Sequence, residues 1–175
     1  MSNFDFTNFS ITTERLKLVP LSMEHKHEVF TEFNSSIAQY MFPKPAEHIS
    51  ETEEFITNSL VNMKSGEDMQ LAITLKGTNE FLGLVGLHRV NSETPILGLW
   101  VKKSAHGNAY GKEAVIAIYN WSKENLKFEC LKYSVDKENI ASVKIPLALG
   151  GKPGQERMIK GLAGNVLNLL EYHIY

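Results

Sequence analysis

The sequence predicts a single α+β (α/β) domain over residues 1–175, in which helices flank a mixed central sheet. A chain of 175 residues with 43% hydrophobic residues is long enough for one compact core and short for two. Three short apolar segments follow one another between residues 69 and 101, as in an antiparallel meander. Residues 111–126 then repeat apolar positions at helical spacing, so a helix is expected directly after the third strand.

The first elements are predicted from alternation and capping signals. Residues 9–21 read as one strand, and Ser22 is placed to cap a short helix after it. Residues 35–45 include two prolines and predict no regular element at their end. The segment Ser50–Glu53 resembles a capping box, so a second helix is expected from there to Gly66.

The remaining elements complete a mixed sheet. Strands are predicted at residues 69–75 and 81–90, joined by a turn at 76–79, and at 94–101. A further strand is expected at 131–135, and Asn139 caps a helix that ends near Gly150. The closing strands are predicted within 157–159 and 166–174.

Composition excludes several classes of protein. The formal net charge of -2 argues against a general nucleic-acid binder. Cys130 is the only cysteine, which excludes an internal disulfide and indicates a reducing compartment; its apolar neighbours favour a buried core residue over a nucleophile. Neither a signal peptide nor an apolar run of membrane-spanning length is recognised, so a cytoplasmic protein without a membrane partner is expected.

The segment Leu97–Ala114 joins a strand to a helix through a turn of small residues. Gly107, Ala109 and Gly111 allow close approach to the backbone, and the helix start supplies free amides and the positive end of its dipole. These features predict a site for an anion such as phosphate. Spacing alone fits an ordinary strand, turn and helix equally well, whereas the Rossmann and Walker patterns are absent.

Three blocks of sequence point to a family. They are Thr13–Leu18, the pair Gly98–Trp100 and Gly107–Ala114, and Asn139–Lys144 with Leu149 and Gly150. With the predicted order of elements, the chain resembles the GNAT acyl-CoA-dependent N-acyltransferase fold nearly from end to end. It is most similar to the branch containing the ribosomal-protein alanine and serine N-acetyltransferases.

The resemblance implies acetyl-CoA as cosubstrate and no metal. The strand entering the turn would splay from its neighbour, so that backbone groups near residues 100–102 bond the pantetheine arm. Amides of residues 106–112 would hold the pyrophosphate, and a side chain on the later helix would bond the pantetheine. The implied cofactor residues are Trp100, Val101, Lys102, Lys103, His106, Gly107, Asn108, Ala109, Tyr110, Gly111, Lys112 and Asn139.

The implied reaction is direct transfer, in which an amine attacks the thioester and a base or water chain takes its proton. His88 is the candidate base, because histidine ordinarily titrates nearest to neutral pH, although a structural or surface role fits it as well. Ser142 is the candidate proton donor to the thiolate, or alternatively a helix cap. Tyr40 and Phe42 are the candidate amine-binding residues, unless they belong to the core.

Acidic residues 51, 53 and 54 would attract a cationic amine, although a charge run on a helix is usually a solvated face. Pro146 stands where many family members have tyrosine, and Ile96 where the branch often has glutamate. The expected function is therefore an acetyl-CoA-dependent N-acetyltransferase acting on a protein N-terminus or a small amine. A noncatalytic acyl-CoA-binding or regulatory protein is the first alternative, and a nucleotide-phosphate-binding protein is the second. Monomer and homodimer both stay open.

Overall fold

The computed structural model describes residues 4–175, in which eight strands form one mixed sheet of order β1-β2-β3-β4-β5-β6-β8-β7. The strands are β1 (Ile11–Thr12), β2 (Leu16–Pro20), β3 (Met69–Leu75), β4 (Phe81–His88), β5 (Ile96–Val101), β6 (Leu131–Asp136), β7 (Lys152–Lys160) and β8 (Val166–Ile174). Neighbouring strands run antiparallel, except that β5 and β6 are parallel. The predicted mixed sheet is thus confirmed.

The helices are α1 (Lys26–Glu32), α2 (Ser35–Ala38), α3 (Ile49–Ser65), α4 (Tyr110–Asn125) and α5 (Ile140–Ala148). Helix α4 packs on β2, β4 and β5, and α5 packs on β6 and β8. Helix α1 packs on β4 and on α3. Within residues 4–175, no helix is both long enough and apolar enough to cross a lipid bilayer.

The meander and α4 lie where the sequence predicts them, and three other predictions need correction. The first closing strand, expected at residues 157–159, is longer: β7 runs from Lys152 to Lys160 as an edge strand, a position that tolerates Pro153. The strand expected over residues 9–21 is two short strands, because the Thr13 N–H turns back to the Leu16 carbonyl at 2.9 Å. Helix α3 begins before the predicted capping box: His48 is its N-cap, and Glu51 accepts the His48 N–H at 3.1 Å. The helix is thus capped at His48, two positions before the cap predicted at Ser50.

The core lies against both faces of the central strands. Leu16, Leu18, Ile73 and Leu87 are fully buried on the strands, as is Ile118 on α4. Full burial of one such side chain stabilises the fold by about 1.5–3 kcal/mol. Cys130 is also buried, as predicted, and burial raises the pKa of its thiol.

The parallel contact between β5 and β6 is short and positions the site. Among residues 4–175, only Ile96 with Lys132 and Leu97 with Tyr133 are paired, after which β5 runs on to Val101 without a partner on that side. The expected splay is therefore present. The space between the unpaired part of β5 and β6 is called the gap below.

Candidate active site

Successive residues of β5 direct their backbone N–H and carbonyl groups alternately towards β4 and into the gap. The Lys102 N–H donates to the Leu82 carbonyl of β4 at 2.7 Å. In an antiparallel pair the bonded residues alternate, so Trp100 also directs its backbone groups to β4, whereas Leu99 and Val101 direct theirs into the gap. Of the residues 100–102 expected to offer their backbone to a ligand, Val101 faces the gap, whereas Trp100 and Lys102 face β4; Leu99, which was not predicted, also faces the gap.

One of the backbone groups that face the gap already has a partner. The His106 ring donates from Nε2 to the Val101 carbonyl at 2.7 Å. The groups left for a ligand on this edge are the N–H and carbonyl of Leu99 and the N–H of Val101. His106 thus acts on the edge of β5 through its side chain, in addition to its place in the turn.

The turn before α4 leads into free backbone amides at the start of the helix. Gly107 and Ala109 both have left-handed backbone, with φ of 81° and 59°, and a Cβ on Gly107 would meet no atom within 4 Å. The Ala109 carbonyl accepts its helical bond from Glu113 N–H at 3.1 Å. The three amides before Glu113 have no hydrogen-bond partner within residues 4–175, so they are free to bind an anion.

Gly111 lets α4 approach β5 closely. A Cβ at Gly111 would lie 2.9 Å from Leu99 Cδ2 and 3.3 Å from Val101 Cγ2. The absence of a side chain here keeps the helix start beside the strand whose backbone faces the gap. The free amides and the free edge of β5 are consequently adjacent.

The lysines among the implied cofactor residues are only partly available to supply positive charge beside the turn. Lys102 is paired with Glu80, its Nζ lying 2.7 Å from Oε1, so its charge is engaged with β4. Lys103 and Lys112 are exposed, and Asn108 uses its amide nitrogen on the Ala105 and His106 carbonyls, each at 3.2 Å. Lys103 and Lys112 are thus the cations nearest in sequence that stay free for a phosphate.

Two of the sequence blocks that carried the family resemblance meet in space at Glu113. Its carboxylate accepts from Thr13 Oγ1 at 2.6 Å and from the Arg15 backbone N–H at 3.0 Å. It also accepts from Arg15 Nε at 2.7 Å and lies 2.6 Å from the second guanidinium nitrogen. Burial opposes ionisation of Glu113, but these hydrogen bonds and the Arg15 charge outweigh it and lower the pKa of the carboxyl.

The same arginine holds the turn itself. Arg15 donates from its other terminal nitrogen to the Asn108 carbonyl at 3.0 Å, and its guanidinium carbon lies 4.8 Å from the centre of the Tyr110 ring. We call Thr13, Arg15 and Glu113 the clasp, because they tie the β1–β2 turn to the start of α4. Sequence reasoning used these residues as a signature and missed that they touch.

Ser142 and Asn139 lie at the start of α5. Asn139 caps the helix as predicted, accepting the Ser142 N–H at 3.2 Å. The Ser142 hydroxyl lies 2.7 Å from the hydroxyl of Tyr133, which stands on β6 where its pairing with β5 ends. Burial raises the pKa of Tyr133 to about 12, and the Ser142 hydrogen bond only partly offsets it. Tyr133 is therefore protonated at neutral pH.

His88 lies at the end of β4, beside β5. Its Nδ1 is 3.5 Å from Asp68 Oδ2, and Asp68 is held by the Arg89 N–H at 2.9 Å and by the Asn62 amide at 3.1 Å. Burial opposes ionisation of Asp68, but hydrogen bonds from His88, Arg89 and Asn62 lower its pKa. The other ring nitrogen lies 3.3 Å from where a Cβ on Gly98 would be, at the start of the gap.

The segment 39–42 reaches across to the turn between β7 and β8. The Phe42 carbonyl accepts the Leu162 N–H at 2.9 Å, and the Asn165 amide donates to the Gln39 carbonyl at 3.0 Å. Phe42 is exposed and Tyr40 is half-buried, so neither is a core residue. Their position beside the splayed end of the sheet suits a wall of the amine site.

Two of the three acidic residues singled out on α3 have partners within the chain. Glu53 is paired with Lys26 at 2.7 Å, and Glu51 is the helix cap described above. The expectation that they attract a cationic amine therefore lacks support from the geometry. No cluster of three or more histidine, cysteine or acidic side chains that could hold a metal occurs among residues 4–175.

Comparison with known proteins finds a matching family model and matching folds. Residues 15–152 match the model of the acetyltransferase (GNAT) domain. A structure from Vibrio cholerae, assigned as a ribosomal-protein-serine acetyltransferase, is 22% identical with TM-score 0.78, covering 95% of this chain and 97% of the other. No curated protein sequence gives a significant match.

Two ligand-bound structures have the same fold. The ribosomal L7/L12 alpha-N-protein acetyltransferase RimL, in complex with coenzyme A, is 15% identical with TM-score 0.82, covering 94% of this chain and 97% of the other. The Microcin C7 self immunity acetyltransferase MccE, in complex with acetyl-CoA and AMP, is 16% identical with TM-score 0.78, covering 92% of each chain.

Proposed function

This chain belongs to the acetyltransferase (GNAT) domain family, and on that premise we propose that it binds acetyl-CoA in the gap and transfers the acetyl group directly to a primary amine. The observation that carries the proposal is the adjacency of two features. The unpaired edge of β5 offers backbone groups like those of a sheet edge, and the free amides of α4 begin where that edge ends.

The proposed cofactor contacts follow the chain. The pantetheine arm would lie along β5 and bond Leu99 and the Val101 N–H, like an added strand. The pyrophosphate would be bound by amides between Gly107 and Lys112, with Lys103 and Lys112 adding charge. Asn139 would donate to the pantetheine from α5, because its side-chain oxygen is already used as the helix cap.

The proposed proton transfers use groups on both sides of the gap. His88 would take the proton of the attacking amine, with its ring oriented by Asp68. As the thioester breaks, Ser142 would protonate the thiolate and regain a proton from solvent, which receives the proton taken by His88, while the Tyr133 hydroxyl holds Ser142 in place. Positioning of the amine against the thioester supplies most of the rate, so neither group must be a strong base or acid.

The acceptor in this proposal is a protein N-terminus or a small amine, bordered by Tyr40 and Phe42. A fold neighbour that acts on the ribosomal protein L7/L12 supports the first of these two options. We also propose that the protein acts in the cytoplasm, a location that the single cysteine favours. In this proposal it acts as a monomer or a homodimer.

The first test is calorimetric titration of acetyl-CoA and ATP into the wild type, Gly107→Glu and Gly164→Glu. Both glycines have positive φ and open space around the added side chain, so Gly164→Glu controls for strain. We expect micromolar acetyl-CoA binding that is lost only in Gly107→Glu, because a carboxylate there repels phosphate. Failure of the wild type to bind would overturn the proposal, and preferred ATP binding would favour a nucleotide site.

The second test measures thiol release from acetyl-CoA with a panel of amines. We expect His88→Gln to lower kcat by about 10²-fold or more, as for loss of a general base, whereas the exposed His27→Gln keeps wild-type turnover. Acetyl-CoA binding without turnover on any amine would instead favour a noncatalytic acyl-CoA-binding protein.

A further inference from the structure

A row of in-register residues crosses the sheet where the gap begins. His88 on β4 is opposite Ile96 on β5, Ile96 is opposite Lys132 on β6, and Lys132 is opposite His173 on β8. Directly opposed residues share one face of a sheet, so all four side chains lie on the same face. The candidate base and Lys132 therefore stand on either side of β5, at the point where β5 and β6 part.

This face is opposite the one that carries α4. Leu99 and Val101 contact α4 through Gly111, and Ile96 alternates with them along β5. Tyr133 alternates with Lys132 in the same way and faces Ser142 on α5. The proposed cofactor contacts on α4 and α5 thus approach from one face, which leaves the face of Lys132 for the amine.

Lys132 belongs to a cluster with a surplus of positive charge. Its Nζ lies 3.2 Å from Glu171, which also contacts His173 at 2.8 Å and Arg157 at 3.9 Å. Burial opposes ionisation of Glu171, but hydrogen bonds from His173 and Lys132 lower its pKa, so it is ionised at neutral pH. One carboxylate thus serves two permanent cations and a histidine.

The surplus charge is accessible. The Lys132 and His173 side chains are each 30% exposed and Arg157 is 50% exposed, whereas Glu171 is 12% exposed. Asp136, further along β6, is buried and accepts the backbone N–H groups of residues 138 and 168 at 2.9 and 2.8 Å. An approaching molecule therefore meets cations whose neutralising carboxylate lies beneath them.

We infer that the acceptor of this enzyme carries a carboxylate close to its amino group, and that Lys132 and His173 bind this carboxylate while the amine faces His88. The inference rests on the proposed transfer reaction and names its substrate class. His88 and Lys132 stand two strands apart, about 9.6 Å at about 4.8 Å per strand, and a hydrogen bond of roughly 3 Å at each side chain leaves about 4 Å between the amine and the carboxylate. A free amino acid and a peptide N-terminus followed by an acidic residue both satisfy this chemistry.

A binding experiment tests the inference without requiring turnover. Acetylated products are titrated calorimetrically into the coenzyme A-saturated protein as matched pairs: N-acetylserine with its amide, and acetyl-Ser-Asp-amide with acetyl-Ser-Asn-amide. We expect the charged member of at least one pair to bind about tenfold more tightly, as for one charge-assisted contact. The pair that shows the preference distinguishes a free amino acid from a peptide.

Variants assign the preference to the cluster. Lys132→Met should reduce the preference to less than about twofold, and Lys132→Arg should keep it. The control is Lys137→Met, which replaces an exposed lysine directly after β6. Glu171→Gln should increase the preference, because it removes the carboxylate that neutralises Lys132. This opposite direction separates charge recognition from loss of folding.

The outcomes separate this inference from the proposed reaction. Equal binding within both pairs, or a preference that survives Lys132→Met, overturns the inference even if neutral amines are acetylated. A preference lost in Lys132→Met supports the inference even if no amine is turned over, in which case only the proposed reaction fails.

Discussion

The clasp predicts a defect in cofactor binding at a distance from any cofactor atom. Glu113→Ala removes the acceptor of the Thr13 hydroxyl, the Arg15 backbone N–H and the Arg15 side chain. Arg15 then loses the partner that aims it at the Asn108 carbonyl and the Tyr110 ring. We therefore expect the turn before α4 to lose its fixed orientation.

The size of the stability loss in Glu113→Ala depends on how exposed the Arg15–Glu113 pair is to solvent. Hydrogen bonds to charged groups contribute about 1.5–3 kcal/mol each when shielded from water, whereas an exposed ion pair contributes about 0–1 kcal/mol. Arg15 is 43% exposed and Glu113 is 19% exposed, so the pair lies between these limits. We expect a loss of about 2 kcal/mol in the free energy of unfolding, which lowers Tm by about 4–8 °C in a domain of this size.

The cofactor effect is measured separately from stability. We expect the Kd for acetyl-CoA to rise about tenfold, because the binding-competent turn is then populated only part of the time. The control is Glu124→Ala, an exposed glutamate on the same helix. Calorimetry gives Kd and a thermal melt gives Tm, both on the same samples and well below the Tm of the variant.

The two readouts decide between positioning and scaffold roles. A lower Tm with a Kd within twofold of the Glu124→Ala value would refute the positioning role and leave the clasp as a structural contact. An unchanged Tm would refute the free-energy argument, because it would mean that the carboxylate contributes nothing net to folding.

Three further predictions concern stability. Gly111→Val should cost about 1–3 kcal/mol in urea unfolding, because the new side chain would overlap Leu99, and an unchanged midpoint would contradict that packing. The lowered pKa of Glu113 means that its carboxylate stabilises the fold above the unfolded pKa near 4.5 and loses this contribution in more acidic solution. The difference in free energy of unfolding between the wild type and Glu113→Gln should therefore shrink below pH 4.5. Tyr133, with its pKa raised to about 12, favours folding below pH 10 and loses this contribution as pH rises through 12, so Tyr133→Phe should lose less stability in that range.

Local patterns predicted the meander and α4 well. Alternation and the turn at 76–79 fix β3 and β4 within one hairpin, and the small residues before α4 fix its start. The break between β1 and β2 was missed because the apolar pattern continues across it, and only the hydrogen bond from Thr13 to Leu16 reveals it.

The site divides along the same line. Short motifs predict the residues of the turn and Asn139, whereas the clasp joins residues 98 positions apart and leaves no local signal. Asp68 was missed because a register shift between Ile73 and Thr74 pairs Met69 with Leu87 and so sets Asp68 beside His88, and the predicted turn alone does not give this shift. Lys132 and Glu171 depend on how β8 inserts beside β6, which no local pattern in β6 or β8 specifies.

The short pairing of β5 with β6 has a mechanical consequence. Within residues 4–175 the sheet consists of two plates, β1–β5 and β6–β8, whose only strand pairing with each other is at Ile96 and Leu97. A molecule bound in the gap along β5 would stabilise this short pairing and set the angle between the plates. His88 lies on one plate and Lys132 on the other. Binding of a molecule in the gap would therefore also set the distance between these two residues, which an acceptor must span.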